Sequence, residues 1–174
     1  MKEYRFEGRA WTITDNNVQL IPDIDTDQIF HNAYLHITDI DQMGKYTFDN
    51  LEGWKDFAKK AQPGDIVIAG SNFGSGSSRQ QAVDCFRSLG VKAVIAVSFG
   101  AIYKRNAINS GFPILIFKDA ESVIAGKKIA NLAPVTVDLI AGTLKNENTG
   151  EEFQLEPFSK VQKDIYDNDT LLKI

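Results

Sequence analysis

Residues 66–79 read IVIAGSNFGSGSSR. The first five are apolar without alternation, the pattern of a strand covered on both faces. Gly70, Gly74 and Gly76 punctuate the turn that follows and let its backbone bend tightly or approach a ligand. A helix is expected to open at Ser77-Ser78-Arg79 and run to Gly90. Ala82, Val83, Phe86 and Leu89 share one helical face, and Gly90 is a stop signal.

The same unit recurs downstream. Residues 93–97 (AVIAV) form a second buried strand, Ser98-Phe99-Gly100 a turn, 101–110 a helix ended by Gly111, and 113–117 (PILIF) a third strand. This β-α-β-α-β run predicts an α/β fold with a parallel core and right-handed crossovers. Ligands of such sheets lie beyond the carboxyl ends of the strands. Ser77-Ser78-Arg79 and Ser98-Phe99 are therefore expected on one functional edge.

Elsewhere the signals are more ordinary. Strands are expected over residues 4–14, with Gly8 as a bulge, and over 18–21 and 135–140. Residues 143–145 and 151–155 read as a hairpin around the loop 146–150. Trp54, Phe57 and Ala58 predict a helix over 51–60 capped by Asp49 or Asn50, and Phe158, Val161 and Ile165 one over 158–167. Residues 31–50 have few regular signals, and within them 38–45 (TDIDQMGK) read as a mobile excursion with a short helical turn, of the kind that forms functional lids.

Composition bounds the function. The 174 residues are 43% hydrophobic and 24% charged, with net charge −4. One globular domain spanning 1–174 is expected. No basic run stands out, so nucleic acid and anionic membranes are not expected partners. No apolar run approaches the roughly 20 residues of a membrane span, and the polar N-terminus lacks a leader's apolar stretch. A reducing, cytoplasmic setting is the default. The single cysteine, Cys85, excludes an internal disulfide and a multi-cysteine metal or iron–sulfur site in this chain.

The start of the first helix offers two readings. Unpaired N–H groups and the helix dipole favour an anion there, and Arg79 adds a planar fork for a carboxylate or phosphate. Against this, Ser77 with Gln80 and Ser78 with Gln81 both have capping-box spacing. A helix needs one N-cap, so one serine is left over. Known nucleotide and hydrolase motifs do not fit. The turn lacks the P-loop lysine, Arg79 stands where the dinucleotide motif has its third glycine, and no Gly-x-Ser-x-Gly is present. Asp23, Asp25 and Asp27 alternate like a calcium loop, but Gln28 and Tyr34 occupy the positions that need glycine and glutamate. That segment reads as a solvated acidic turn, or as a source of a carboxylate beside Ser77. Neither His31 nor His36 has metalloprotease spacing.

Three motifs, in order, carry a family resemblance: residues 25–29 (DTDQI), 72–79 (NFGSGSSR) and 98–111 (SFGAIYKRNAINSG). Together they resemble the small subunits of 3-isopropylmalate dehydratases, which are similar to the swivelling domain of aconitase. The resemblance implies a swivelling β/β/α domain, the parallel β-α-β-α-β core being joined by further strands and a hairpin. It implies a hydro-lyase isomerising 2- and 3-isopropylmalate by dehydration and rehydration, a step of leucine biosynthesis. The partner would be a large subunit carrying a [4Fe-4S] cluster, with no cofactor or metal bound by this chain. It implies Ser77 as the base that removes the proton beside a substrate carboxylate, with Asp27 assisting. Ser78, Arg79 and Thr26 would bind a small dicarboxylate, and the loop holding Leu35 and His36 would read its variable group. Many relatives have cysteine at Ser75 and Glu-His at Gln80-Gln81. An arginine at His36 would favour an extra carboxylate, as in homoaconitate, and an apolar residue the isopropyl group. His36 is neither, so homoaconitase and dimethylmalate-type dehydratases stand as alternatives. A stand-alone carboxylate-binding domain is the alternative outside enzymes.

Overall fold

The computed structural model describes residues 2–173. Seven strands form one sheet in the order β4-β3-β2-β1-β5-β6-β7. They are β1 (Arg5–Thr12), β2 (Ile66–Ala69), β3 (Ala93–Ala96), β4 (Ile114–Ile116), β5 (Ala133–Asp138), β6 (Thr143–Asn146) and β7 (Glu152–Gln154). β1 is the central strand. It runs parallel to β2, with Ala10 opposite Ile66, and antiparallel to β5, with Arg5 opposite Asp138 and Ala10 opposite Ala133. The sheet thus has a parallel half, the expected core, and an antiparallel half built from the expected hairpin.

The sheet curls until its ends meet. The Glu156 N–H, just past β7, donates to the Ile116 carbonyl of β4 at 2.9 Å, and the rings of Phe117 and Phe153 lie 5.9 Å apart. Alternation then sorts the strand residues. Ile66, Ile68, Ile95 and Leu115 join Val135, Val137 and Leu144 inside the curl. Val67, Ala69, Val94 and Ala96 face the helices outside it. Helix α5 (Ala120–Ala125), which the sequence reading does not anticipate, adds Val123 and Ile124 to the inner cluster.

The outer layer holds α1 (Thr26–Ile29), α2 (Phe57–Lys60), α3 (Gln81–Ser88) and α4 (Ala101–Asn109). Phe30, Phe48, Phe57, Phe73 and Phe86 are fully buried there. Each contributes about 2–3 kcal/mol through burial. The C-terminal helix α6 (Lys160–Asp167) matches expectation and is capped by the Ser159 hydroxyl, which accepts from the Gln162 N–H at 3.0 Å.

Several expectations are corrected. Gly8 is no bulge, because the β1–β5 register is unbroken; a Cβ there would lie 2.0 Å from the Gly64 carbonyl oxygen, so glycine permits close backbone approach. Residues 18–21 form a single bridge, Thr14 to Leu20, instead of a strand. The helix expected over 51–60 shrinks to α2, since Gly53 is left-handed (φ 85°) and interrupts it. The excursion expected at 38–45 has its helical turn, Ile40–Gln42, but is tied down by the Gly44 N–H, which donates to the Ser88 hydroxyl at 3.0 Å, and so is the rest of 31–50. These residues form three single-turn 3₁₀ helices, Asn32–Tyr34, Ile40–Gln42 and Gly44–Tyr46. Tyr34 stacks on Tyr46 at 4.0 Å, and its hydroxyl donates to the Asp49 carboxylate at 2.8 Å.

Candidate active site

The turns after β2 and β3 emerge at the same sheet edge and interlock. The Phe73 N–H donates to the Ser98 carbonyl at 3.0 Å, and the Gly100 N–H returns to the Phe73 carbonyl at 2.9 Å. The segment before α1 then lies along the glycine-rich turn as a short parallel bridge. Gly74 donates to the Ile24 carbonyl at 2.7 Å and Thr26 to the Ser75 carbonyl at 2.9 Å. Gly74 has φ 80°, and a Cβ there would sit 2.2 Å from the Tyr103 ring of α4. No other residue fits that conformation and that space.

The helix opens later than its sequence suggests. α3 starts at Gln81, and its N-cap Gln80 makes no side-chain capping bond. The two expected capping boxes do not form. The Ser77 carbonyl instead accepts from the Thr26 hydroxyl at 3.0 Å, which holds the chain out of helical geometry. Both serines are therefore released from capping, and both are exposed. The Ser77 hydroxyl has no hydrogen-bond partner among the described residues, whereas the Ser78 Oγ accepts from the Asn106 amide of α4 at 3.0 Å. The N–H groups of Ser77 to Gln80 find no acceptor among the described residues, which leaves donors for an anion. Thr26, only 3% exposed, lies beneath the turn and shapes it.

Arg79 is held from one side. Its Nη1 donates to the Phe30 carbonyl at 2.7 Å and to Asp27 Oδ1 at 3.2 Å. Its side chain is 11% exposed, that of Asp27 40%. Nε and Nη2 meet no acceptor among the described residues, so the outer edge of the guanidinium is an open fork. Asp27 also accepts from the Asn32 N–H at 2.8 Å and from the Asn50 amide at 3.1 Å. Burial pushes the Asp27 carboxyl up, but the Asn32 N–H, Arg79 and His31 outweigh it and hold it below the ordinary carboxylate range. Asp27 is thus an ionised acceptor, saturated with donors, that aims Arg79.

The loop expected to read substrate reaches the same mouth. The Gln81 amide donates to the Leu35 carbonyl at 3.2 Å, and the Leu35 and His36 side chains are exposed. His31 Nδ1 accepts from the Ala33 N–H at 2.9 Å and caps its own turn. Asn50, Gln81 and Asn106 are site neighbours that sequence reasoning does not single out. Asn106 lies within the third motif quoted above, and that is the one signal that could have found it.

The site does not include the cysteine. Cys85 is buried, and burial pushes its thiol up to about 12, so it is no thiolate ligand. No group of three or more His, Cys, Asp or Glu poised for a metal occurs among the described residues. No helix among them is long and apolar enough to cross a membrane.

Residues 19–120 match the aconitase C-terminal domain family. The chain is 40% identical to the 3-isopropylmalate dehydratase small subunit of Aquifex aeolicus, over 94% of this chain and 89% of that one. It is 36% identical to small subunit 1 of the same enzyme from Thermotoga maritima, over 95% and 91%. The crystal structure of a 3-isopropylmalate dehydratase chain from Methanocaldococcus jannaschii superposes with TM-score 0.82 at 31% identity, covering 97% of this chain and 92% of that one.

Proposed function

The chain belongs to the aconitase C-terminal domain family, among the small subunits of 3-isopropylmalate dehydratase, and from that premise we propose that it is the small subunit of this hydro-lyase, interconverting 2- and 3-isopropylmalate in leucine biosynthesis. The observation that carries the reading is the open Nε–Nη2 edge of Arg79, two residues along the turn from a serine hydroxyl with no partner among the described residues. One binds a carboxylate; the other is free for chemistry on the carbon next to it.

The geometry supports the roles that the family resemblance implies. A substrate carboxylate takes the Arg79 fork and the Ser78 hydroxyl. Asp27, fixed by Asn32 and Asn50, keeps Arg79 turned outward. Ser77, as alkoxide, takes the proton from the carbon beside that carboxylate. Such an alkoxide needs nearby cations and N–H donors, and Arg79 and the free N–H groups of the turn are suited to that. The loop at Leu35 and His36 meets the variable group. The whole chain acts as one swivelling domain in the cytoplasm.

This is half a site. Ser77 and Ser78 lie open to water, and proton abstraction of this kind needs a dry enclosure. The partner is a large subunit whose [4Fe-4S] cluster supplies the Lewis acid for the departing hydroxyl.

The test is anaerobic reconstitution with a cluster-loaded large subunit. Ser77→Ala should lower kcat by about 10²–10⁴-fold with little change in KM. Unchanged turnover would sink the base assignment. Tight dicarboxylate binding by the isolated chain, with no activity on mixing, would favour a stand-alone binding domain. Better turnover of homoaconitate or dimethylmalate than of isopropylmalate would reassign the substrate.

A further inference from the structure

We propose that Asn106 is a positioning residue that keeps the Ser78 hydroxyl proton turned away from α4, and so leaves Ser78 free to donate to the substrate carboxylate. The proposal rests on the reading of Ser78 as a substrate-binding residue.

The two residues are brought together by the fold. Ser78 lies in the turn after β2 and Asn106 on α4, after β3. The Asn106 Nδ2 donates to the Ser78 Oγ at 3.0 Å. A serine hydroxyl has one proton and two acceptor positions. With the amide N–H on one acceptor position, the proton points away from Asn106. No other contact of Ser78's hydroxyl occurs among the described residues, and the residue is exposed. The proton is therefore left to the two positions that do not face Asn106, one residue along the turn from Arg79.

Helix α4 is built to hold Asn106 in place. Tyr103, one turn earlier on the same face, is fully buried, and its hydroxyl donates to the Ala82 carbonyl of α3 at 3.0 Å. Its ring packs against Gly74 of the turn. Ala107 is buried beside it. Tyr103 thus fixes the height of α4 over the turn, and Asn106 reaches the serine from that fixed platform. A carboxylate arriving at Ser78 meets a hydroxyl with one of its three rotor positions, the one facing α4, already closed to the proton. Asn106 itself touches no substrate in this scheme.

The experiment is a double-mutant cycle in the reconstituted complex with the large subunit, using 3-isopropylmalate. Asn106→Ala should raise KM by about two- to threefold, because the hydroxyl regains a proton position that faces α4 instead of substrate, and change kcat little. Asn106→Asp keeps the shape but accepts instead of donating. It should turn the Ser78 proton inward and raise KM at least as much; it carries the test if Asn106→Ala fails to fold. In a Ser78→Ala background Asn106→Ala should not raise KM further, and Asn106→Asp should raise it less than in the parent, by the repulsion of the added carboxylate alone. Equal increases in both backgrounds would mean that Asn106 acts through general structure, and would overturn the proposal while leaving Ser78 as a binding residue. An unchanged KM in Ser78→Ala alone would overturn the reading of Ser78, and this proposal with it.

Discussion

Replacing Arg79 by lysine keeps the charge and removes the fork. In the structure one nitrogen, Nη1, serves both the Phe30 carbonyl and Asp27, while Nε and Nη2 stay open. An ammonium has no such division of labour. If it stays on Asp27 and Phe30 it offers at most one hydrogen bond to a substrate carboxylate; if it turns outward it deprives the Phe30 carbonyl of this donor and leaves Asp27 with Asn32 and Asn50 alone. A hydrogen bond to an ionised group is worth about 1.5–3 kcal/mol. Losing one of two therefore costs about 2 kcal/mol, or about 30-fold in kcat/KM. The stability cost is smaller. Asp27 is 40% exposed, so solvent screens the pair to about 0.5–1 kcal/mol. That lowers the melting temperature by about 1–4 °C. Steady-state kinetics of the anaerobically reconstituted complex, with circular-dichroism melting of the variant, would measure both quantities. A kcat/KM within threefold of the parent would refute the assignment of the open edge to substrate. A melting temperature lowered by more than about 10 °C would make Arg79 chiefly a structural residue.

Two further outcomes concern stability. Gly74→Ala combines a left-handed backbone with a 2.2 Å overlap on Tyr103, so it should cost about 3 kcal/mol or more; a urea midpoint implying under about 1 kcal/mol would contradict the packing. Asp65, 2% exposed, accepts from Arg9, Trp11 and the Gln62 N–H. Burial pushes its carboxyl up, but those donors prevail and hold it below the ordinary range. Its folded pKa is thus depressed, so its contribution is complete above about pH 3.9 and is lost as pH falls through the folded value. Asp65→Asn should cost about 2–4 kcal/mol at pH 7 and flatten the stability loss on acidification below pH 4. Parallel acid-unfolding curves for the two proteins would remove Asp65 from that account.

The sequence carried the parallel core because its strands are short, wholly apolar runs between glycine turns, a pattern with few other uses. It marked Ser77, Ser78 and Arg79 as candidates because a glycine-rich turn opening on an arginine is a local signal, and the structure sets Asp27, a candidate through the family resemblance, against Arg79. It misplaced the start of α3 because capping chemistry is local, whereas the Thr26 hydroxyl that claims the Ser77 carbonyl comes from a distant segment. The same distance hid Asn50 and Asn106, whose partners lie elsewhere in the chain. Aromatic spacing at Trp54 and Phe57 imitated a helix because the outer core accepts aromatic rings from irregular backbone as readily as from helices. Helix α5 escaped notice because only a short stretch, around Val123 and Ile124, is apolar.

The central position of β1 has a consequence for biogenesis. The strand made first, Arg5–Thr12, pairs with Ile66–Ala69 on one side and with Ala133–Asp138 on the other. While the ribosome is still short of β5, one side of β1 is an unpaired edge carrying Phe6, Ala10 and their neighbours, a template for pairing with another chain. The inner cluster cannot close until β5 arrives, since Val135 and Val137 belong to it. Closure of this domain is therefore dominated by contacts between distant residues, and slow for its size. A chain that stops short of Ala133 keeps β2 to β4 but leaves β1 open, which makes premature termination an aggregation hazard rather than a simple loss of activity.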